Sequence, residues 1–171
     1  DLEANRLEIE KIARHGLFTG VEADKLAAFI ECLHRETFAA GEAIIRENET
    51  GNRLYIIEEG RCEVLKRVMT KDGIVNQCIA TLGPNETFGE MEMVDRQPRS
   101  ATVRALEPVR VLSLTTLDLY SQTGSDYRTF SILLLNICRE TSLRLRATDM
   151  WLAGSLFSIR QNQGQVPEGQ G

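Results

Sequence analysis

Glycines at positions 41, 51, 60, 73, 83 and 89 divide the middle of this chain into short segments rich in Ile, Val, Leu and Tyr. Segments of that length and makeup read as strands separated by turns rather than as packed helices. The candidates are "AIIRE", "RLYIIEE", "CEVLKRVM", "IVNQCIATL", "SATVRALE" and "VRVLSL", with "KDG" at 71–73 as a hairpin turn. A closed barrel leaves no exposed sheet edge, so many strands at regular turn spacing predict a double-sheet barrel of the jelly-roll kind, with an open sandwich as the alternative.

On both sides of this region the apolar period lengthens to that of a helix. In residues 1–33, Leu7, Ile12, Leu26, Phe29, Ile30 and Leu33 recur at helical steps, and "HGLFTG" interrupts them, which predicts two helices around a turn. In residues 126–156, Leu134, Cys138, Thr141, Leu145, Thr148 and Leu152 follow at steps of four and three. Such a stripe packs either on the chain's own barrel or on a partner helix. The fold class is therefore mainly β with flanking helices. Within a length of 171 residues, suited to one domain, the organisation is a helical segment at 1–34, a barrel at 35–114, C-terminal helices at 115–156 serving as lid and dimer helix, and a tail at 157–171. The tail's "QNQGQVPEGQG" has no apolar periodicity and reads as disordered or as a linker.

Charge and special residues exclude several function classes. A formal net charge of −5 and a pI near 5.2 offer no general attraction to a polyanion, and no basic patch compensates, so direct nucleic acid binding is not expected. The longest apolar run, Ile132 to Leu135, is far short of the roughly 20 residues of a membrane span. Without a signal-peptide pattern, a cytoplasmic location is expected. Cysteines at 32, 62, 78 and 138 are too scattered for a redox pair or a zinc knuckle and read as small buried apolar residues. His15 and His34 both precede the barrel, which leaves a metal-dependent barrel enzyme without its ligands and a hydrolytic triad without its base. No cofactor is implied.

The segment "FGEMEMVDRQPRSATV", residues 88–103, carries the chemistry. Phe88 to Val94 is long enough for a short helix, whose first N–H groups lack helical partners, and Gly89 leaves the approach to them open. Arg99 follows Pro98, whose fixed φ restricts its direction, and a guanidinium grips two oxygens of a phosphate at once. Ser100 adds a hydroxyl. Glu90 would repel a phosphate but suits a sugar hydroxyl that needs an acceptor. Together these residues point to a cyclic nucleotide. Two plainer readings stand beside this one: Thr87 and Glu90 as a capping box, and Arg99 in a surface ion pair with Asp95.

The same segment resembles the phosphate-binding cassette of the cyclic nucleotide-binding domain family, which includes catabolite activator proteins and the regulatory subunits of protein kinase A. "GEAIIRENETGNRLYIIEEGRCEV" and "LGPNETFGEM" are similar to that family's early strands and cassette approach, and the resemblance covers about residues 10–153. It implies that Glu90 accepts from the ribose 2′-hydroxyl and that Arg99 pairs with the cyclic phosphate. Ser100 and the backbone amides of Gly89 to Met91 would complete the phosphate shell, flanked in the cassette by Phe88 and Ala101. "RLRATDMWLAGSLF" is similar to the helix on which the family places adenine contacts, which puts Thr148 and Asp149 there, with Arg144 and Arg146 as alternative lids over the purine. On the plainer reading Thr148 is a stripe residue and Asp149 a solvated acid.

Where the family has a small residue two positions after the glutamate, this chain has Glu92, whose side chain is expected to face outward. Ser100, rather than a threonine, favours cAMP, with cGMP as the alternative. The resemblance thus implies a regulatory sensor, not an enzyme, that binds cAMP and transmits occupancy through its C-terminal helix. A homodimer through that helix and an output domain in a longer parent chain are the partners it suggests. The competing reading is a nucleotide-independent barrel that dimerises or docks a protein. Replacement of Arg99 by Ala is expected to leave the fold intact.

Overall fold

The computed structural model describes residues 10–124 and 126–164, the last four by backbone alone; Leu7 and the tail beyond 164 lie outside the described residues. The N-terminal part holds α1 (described over residues 10–13), a 3-10 turn (Gly16–Phe18) and α2 (Ala23–Cys32). His15 shapes the "HGLFTG" turn: the Leu17 amide donates to its Nδ1 at 3.1 Å, and its Nε2 lies 3.0 Å from the Asn85 carbonyl, a pair that one imidazole tautomer satisfies.

Eight strands follow: β1 (His34–Phe38), β2 (Ala43–Ile45), β3 (Arg53–Glu59), β4 (Cys62–Thr70), β5 (Gly73–Leu82), β6 (Thr87–Phe88), β7 (Thr102–Ala105) and β8 (Val109–Thr115). They form two four-stranded sheets, ordered β1-β8-β3-β6 and β2-β7-β4-β5, with antiparallel pairing throughout. This is the jelly-roll arrangement expected from the turn spacing. β4 and β5 are joined through Lys71 and Asp72, with Thr70 paired to Gly73, so "KDG" is the hairpin turn.

Burial explains which strands announce themselves. In β3, Tyr55 and Ile57 point between the sheets while Leu54 and Ile56 point to the helices; β8 does the same with Val109 and Val111 against Leu112 and Leu114. Both faces are covered, so apolar residues stand next to one another in both strands, Leu54 to Ile57 in β3 and Val111 with Leu112 in β8. One core lies between the sheets, around Ile57, Cys62, Phe88 and Val111. The other joins Leu54 and Ile56 to Leu17, Phe18 and Phe29 of the N-terminal part and to Leu133 and Ile137.

Cassette helix α3 (Met91–Asp95) lies between β6 and β7; after β8 come α4 (Thr116–Thr123) and α5 (Tyr127–Gly164). A capping box between Thr115 and Asp118 starts α4, and Gly124 ends it. The expected tail is helical as far as Gly164. On α5 the face turned to the barrel carries Thr129, Leu133, Asn136 and Ile137, one position removed from the expected stripe. Of that stripe Leu134 and Thr141 are half-buried, whereas Cys138, Leu145, Thr148 and Leu152 are exposed, so packing on the chain's own barrel does not account for its C-terminal part. The cysteine expectation is also corrected: Cys62 is buried, but Cys78 and Cys138 are exposed. Among the described residues no helix is long and apolar enough to cross a membrane.

Candidate functional site

The cassette leaves β6 with Phe88, whose ring stacks on Tyr55 at 4.9 Å and anchors the segment in the inter-sheet core. At Gly89 the backbone turns with φ +79°, and a Cβ there would lie 2.6 Å from both the Arg53 carbonyl oxygen and Arg99 Nη1. Only glycine fits. α3 closes at Arg96, itself left-handed at φ 56°, and the chain returns through Pro98 to Arg99.

Arg99 is buried, 6% exposed. Its Nη1 donates to the Gly89 carbonyl at 2.7 Å and its Nη2 to the Arg53 carbonyl at 2.9 Å. Its Nε lies 3.0 Å from Glu92 Oε2, while Glu92 Oε1 accepts from the Gly51 amide. The backbone of Arg99 is tied into the loop before β3, its amide donating to the Glu49 carbonyl at 2.8 Å. Gly51 is needed for this fit, because a Cβ there would come within 2.4 Å of Arg99 Nη2. These contacts exclude a surface ion pair with Asp95. They also correct the expected outward orientation of Glu92, which turns inward because the buried guanidinium needs a counterion.

Glu90 is 2% exposed, with Oε1 3.1 Å from Arg144 Nη1 and Oε2 buried without a hydrogen-bond partner. Burial pushes its carboxyl above the usual range, against the lowering effect of the Arg144 charge. No capping bond forms from it, so the capping-box reading of Thr87 and Glu90 fails. Arg144 also donates to the Thr87 carbonyl at 2.9 Å and to its hydroxyl oxygen at 3.2 Å, and the Thr87 hydroxyl donates to Glu140 Oε2 at 2.6 Å. One turn of α5 is thereby clasped to β6 and the cassette.

A cavity of about 240 Å³ opens beside Arg99, between β2, the 49–53 loop and Tyr55. Arg99 lines it and Glu90 does not.

The cyclic nucleotide-binding domain model matches residues 35–124, just over half of the chain. The chain belongs to the cyclic nucleotide-binding domain family. A CRP-like cAMP-activated global transcriptional regulator of Mycobacterium tuberculosis is 34% identical over 149 residues; they make up 87% of this chain and 63% of that one, so the chain spans under two thirds of that regulator's length. A solved N-terminal domain of a transcriptional regulator from Streptomyces coelicolor is 30% identical with a TM-score of 0.63, covering 79% of this chain and 91% of that one. A solved cyclic nucleotide-binding domain from Methylobacillus flagellatus, at 22% identity, shares the fold with a TM-score of 0.78 over 86% of this chain and 84% of the other.

Within this cyclic nucleotide-binding domain the structure brings Gly89, Glu90, Arg99 and Arg144 together. Met91 is 45% exposed, Ser100 is exposed with its hydroxyl 3.9 Å from Met91 Sδ, and Ala101 is buried beside them. Arg146, Thr148 and Asp149 are exposed on α5, and the Thr148 hydroxyl is turned back to the Arg144 carbonyl of its own helix at 3.0 Å. They do not join the cassette within one chain. Thr87, Glu140, Gly51 and the inward role of Glu92 were not singled out for the site. The spacing of Glu140 and Arg144, one helical turn apart, was the available signal for the clasp.

Proposed function

We propose that this domain is a regulatory sensor, not an enzyme, which binds cAMP at the cassette and passes occupancy to α5. The observation that carries this reading is the buried, unpartnered Oε2 of Glu90, placed one residue from the glycine whose carbonyl holds Arg99. A buried carboxylate oxygen without a donor costs about 1–3 kcal/mol, and a ribose hydroxyl is a donor of the right size. Arg99 supplies the charge for the cyclic phosphate, Ser100 and the Gly89–Met91 backbone flank it, and Ser100 favours cAMP over cGMP. The naming of the relatives as regulators agrees with a signalling role.

Coupling follows from the clasp. A ligand hydroxyl that engages Glu90 acts on the same carboxylate that holds Arg144, so ligand and helix position share one residue. Beyond the clasp α5 exposes Leu145, Leu152 and Leu156 along one face, with Met150, Trp151 and Phe157 beside it, an apolar surface suited to a second copy of the chain. In such a dimer Thr148, Asp149 and Arg146 become candidates for covering a purine. The proposed division is a helical segment at 1–34, a barrel at 35–114 and C-terminal helices from 115 to the end of α5, with an output unit in a longer parent chain and no nucleic acid contact by the sensor itself. A second reading, a barrel that works without nucleotide, is favoured by the Glu92–Arg99 ion pair.

Thermal melting with cAMP, cGMP and 5′-AMP tests the proposal. Ligand at 100 times its dissociation constant adds about 2.7 kcal/mol. The melting temperature should then rise by several degrees with cAMP, less with cGMP and not with 5′-AMP. No rise with either cyclic compound at millimolar concentration would favour the nucleotide-independent barrel.

A further inference from the structure

All three nitrogens of Arg99 are engaged inside the protein: Nη1 by the Gly89 carbonyl, Nη2 by the Arg53 carbonyl, and Nε by the Glu92 carboxylate. The carbonyls are neutral and leave the positive charge unmatched. Glu92 matches it. Its side chain is 9% exposed and that of Arg99 5%, so the pair is removed from water. The anion that a buried guanidinium is suited to recruit from a ligand is already present, attached to the chain.

The attachment is incomplete. Glu92 Oε2 lies 3.0 Å from Nε but has no aligned hydrogen bond, and only its Oε1 is bonded, to the Gly51 amide. A phosphodiester carries the same single negative charge and can accept paired hydrogen bonds from a guanidinium, which a misaligned carboxylate does not. Both anions cannot stay at one buried cation without strong mutual repulsion.

We propose that Glu92 is a tethered occupant of the phosphate position. Its carboxylate leaves Arg99 when a cyclic phosphate arrives, and the cost of that exchange sets the ligand concentration at which the domain responds. The exchange also frees the Gly51 amide, so the 49–53 loop loses a tie to α3 on ligand binding. This inference rests on the reading of the cassette as a cyclic nucleotide site.

The test is calorimetric titration of cAMP into the full chain and into Glu92→Gln, Glu92→Ala and the double variant Glu92→Ala/Arg99→Ala, each checked for folding by circular dichroism. Glu92→Gln keeps an oxygen for the Gly51 amide while removing the charge, so a purely structural role is separated from an electrostatic one. Both single variants should bind cAMP tighter by about tenfold or more, and the double variant should lose that gain. The single variants should also melt lower without ligand and show a larger ligand-induced rise, because Arg99 then lacks a counterion until the phosphate supplies one. Folded single variants that bind cAMP no tighter than wild type overturn the tethered-occupant inference and leave the nucleotide reading standing. Folded wild-type and variant proteins that all fail to bind cAMP in this titration, and cGMP in a parallel one, overturn the nucleotide reading itself.

Discussion

Arg99→Ala tests the reasoning most directly, because the structure turns a residue chosen for ligand binding into one that also holds the apo fold. The substitution removes a guanidinium that is 6% exposed and leaves the Glu92 carboxylate buried without a cation. Breaking a buried pair from one side costs about 3–5 kcal/mol, chiefly through the charge left behind. For a chain of this size that corresponds to a fall in melting temperature on the order of 10 °C. Arg99→Ala, expected from the sequence to leave the fold intact, should therefore also destabilise it. Adding Glu92→Ala removes the stranded charge, and the Gly89 and Arg53 carbonyls can take water in the space the arginine vacated. The double variant should thus be more stable than Arg99→Ala and stand within about 2 kcal/mol of wild type. Urea unfolding of the four proteins in the cycle measures this coupling. A loss below about 1 kcal/mol for Arg99→Ala, or a double variant no more stable than the single one, would refute the claim that the pair is buried and mutually dependent.

Gly89→Ala should cost about 2 kcal/mol or more and weaken cAMP binding, because its Cβ would strike the Arg53 carbonyl and Arg99 Nη1 at 2.6 Å. Gly41→Ala is the control, with φ +83° but nothing within 4 Å of its Cβ; equal losses at the two sites by urea unfolding would contradict the steric argument. Glu90→Gln should change the pH dependence of stability. The Glu90 carboxyl is raised from 4.5 chiefly by burial, so its contribution is fully present below that value and is lost as pH rises through the shifted one. Wild type should match Glu90→Gln most closely in acid and fall behind it toward neutrality; a gap that widens on acidification would reverse the assignment.

Sequence patterns revealed β3 and β8 because covering both faces favours adjacent apolar residues, unbroken in "LYII" of β3 and interrupted only by Ser113 in "VLSL" of β8. β1 went unread: its "HRETF" is polar, it pairs with β8 on one side alone, and every residue in it retains some exposure. β6, two residues long, is too short to carry a period. On α5 the apolar residues run nearly all round the helix, so periodicity could not select between the Leu134 line and the Leu133 line. Contact with the 3-10 turn made that choice: Asn136 donates to the carbonyls of Leu17 and Thr19, both at 2.9 Å.

The chain's order of residues was enough to indicate a strand-rich middle with helical flanks and the chemical character of Gly89, Glu90 and Arg99, since turn glycines, strand period and side-chain chemistry are local properties. Pairing is not local. Glu92 meets Arg99 and Gly51, and Arg144 meets Glu90, only because α3, the 49–53 loop and α5 converge in three dimensions. The direction in which Glu92 points was therefore decided by the tertiary structure: a buried cation must have an anion beside it, and the fold placed that carboxylate within reach.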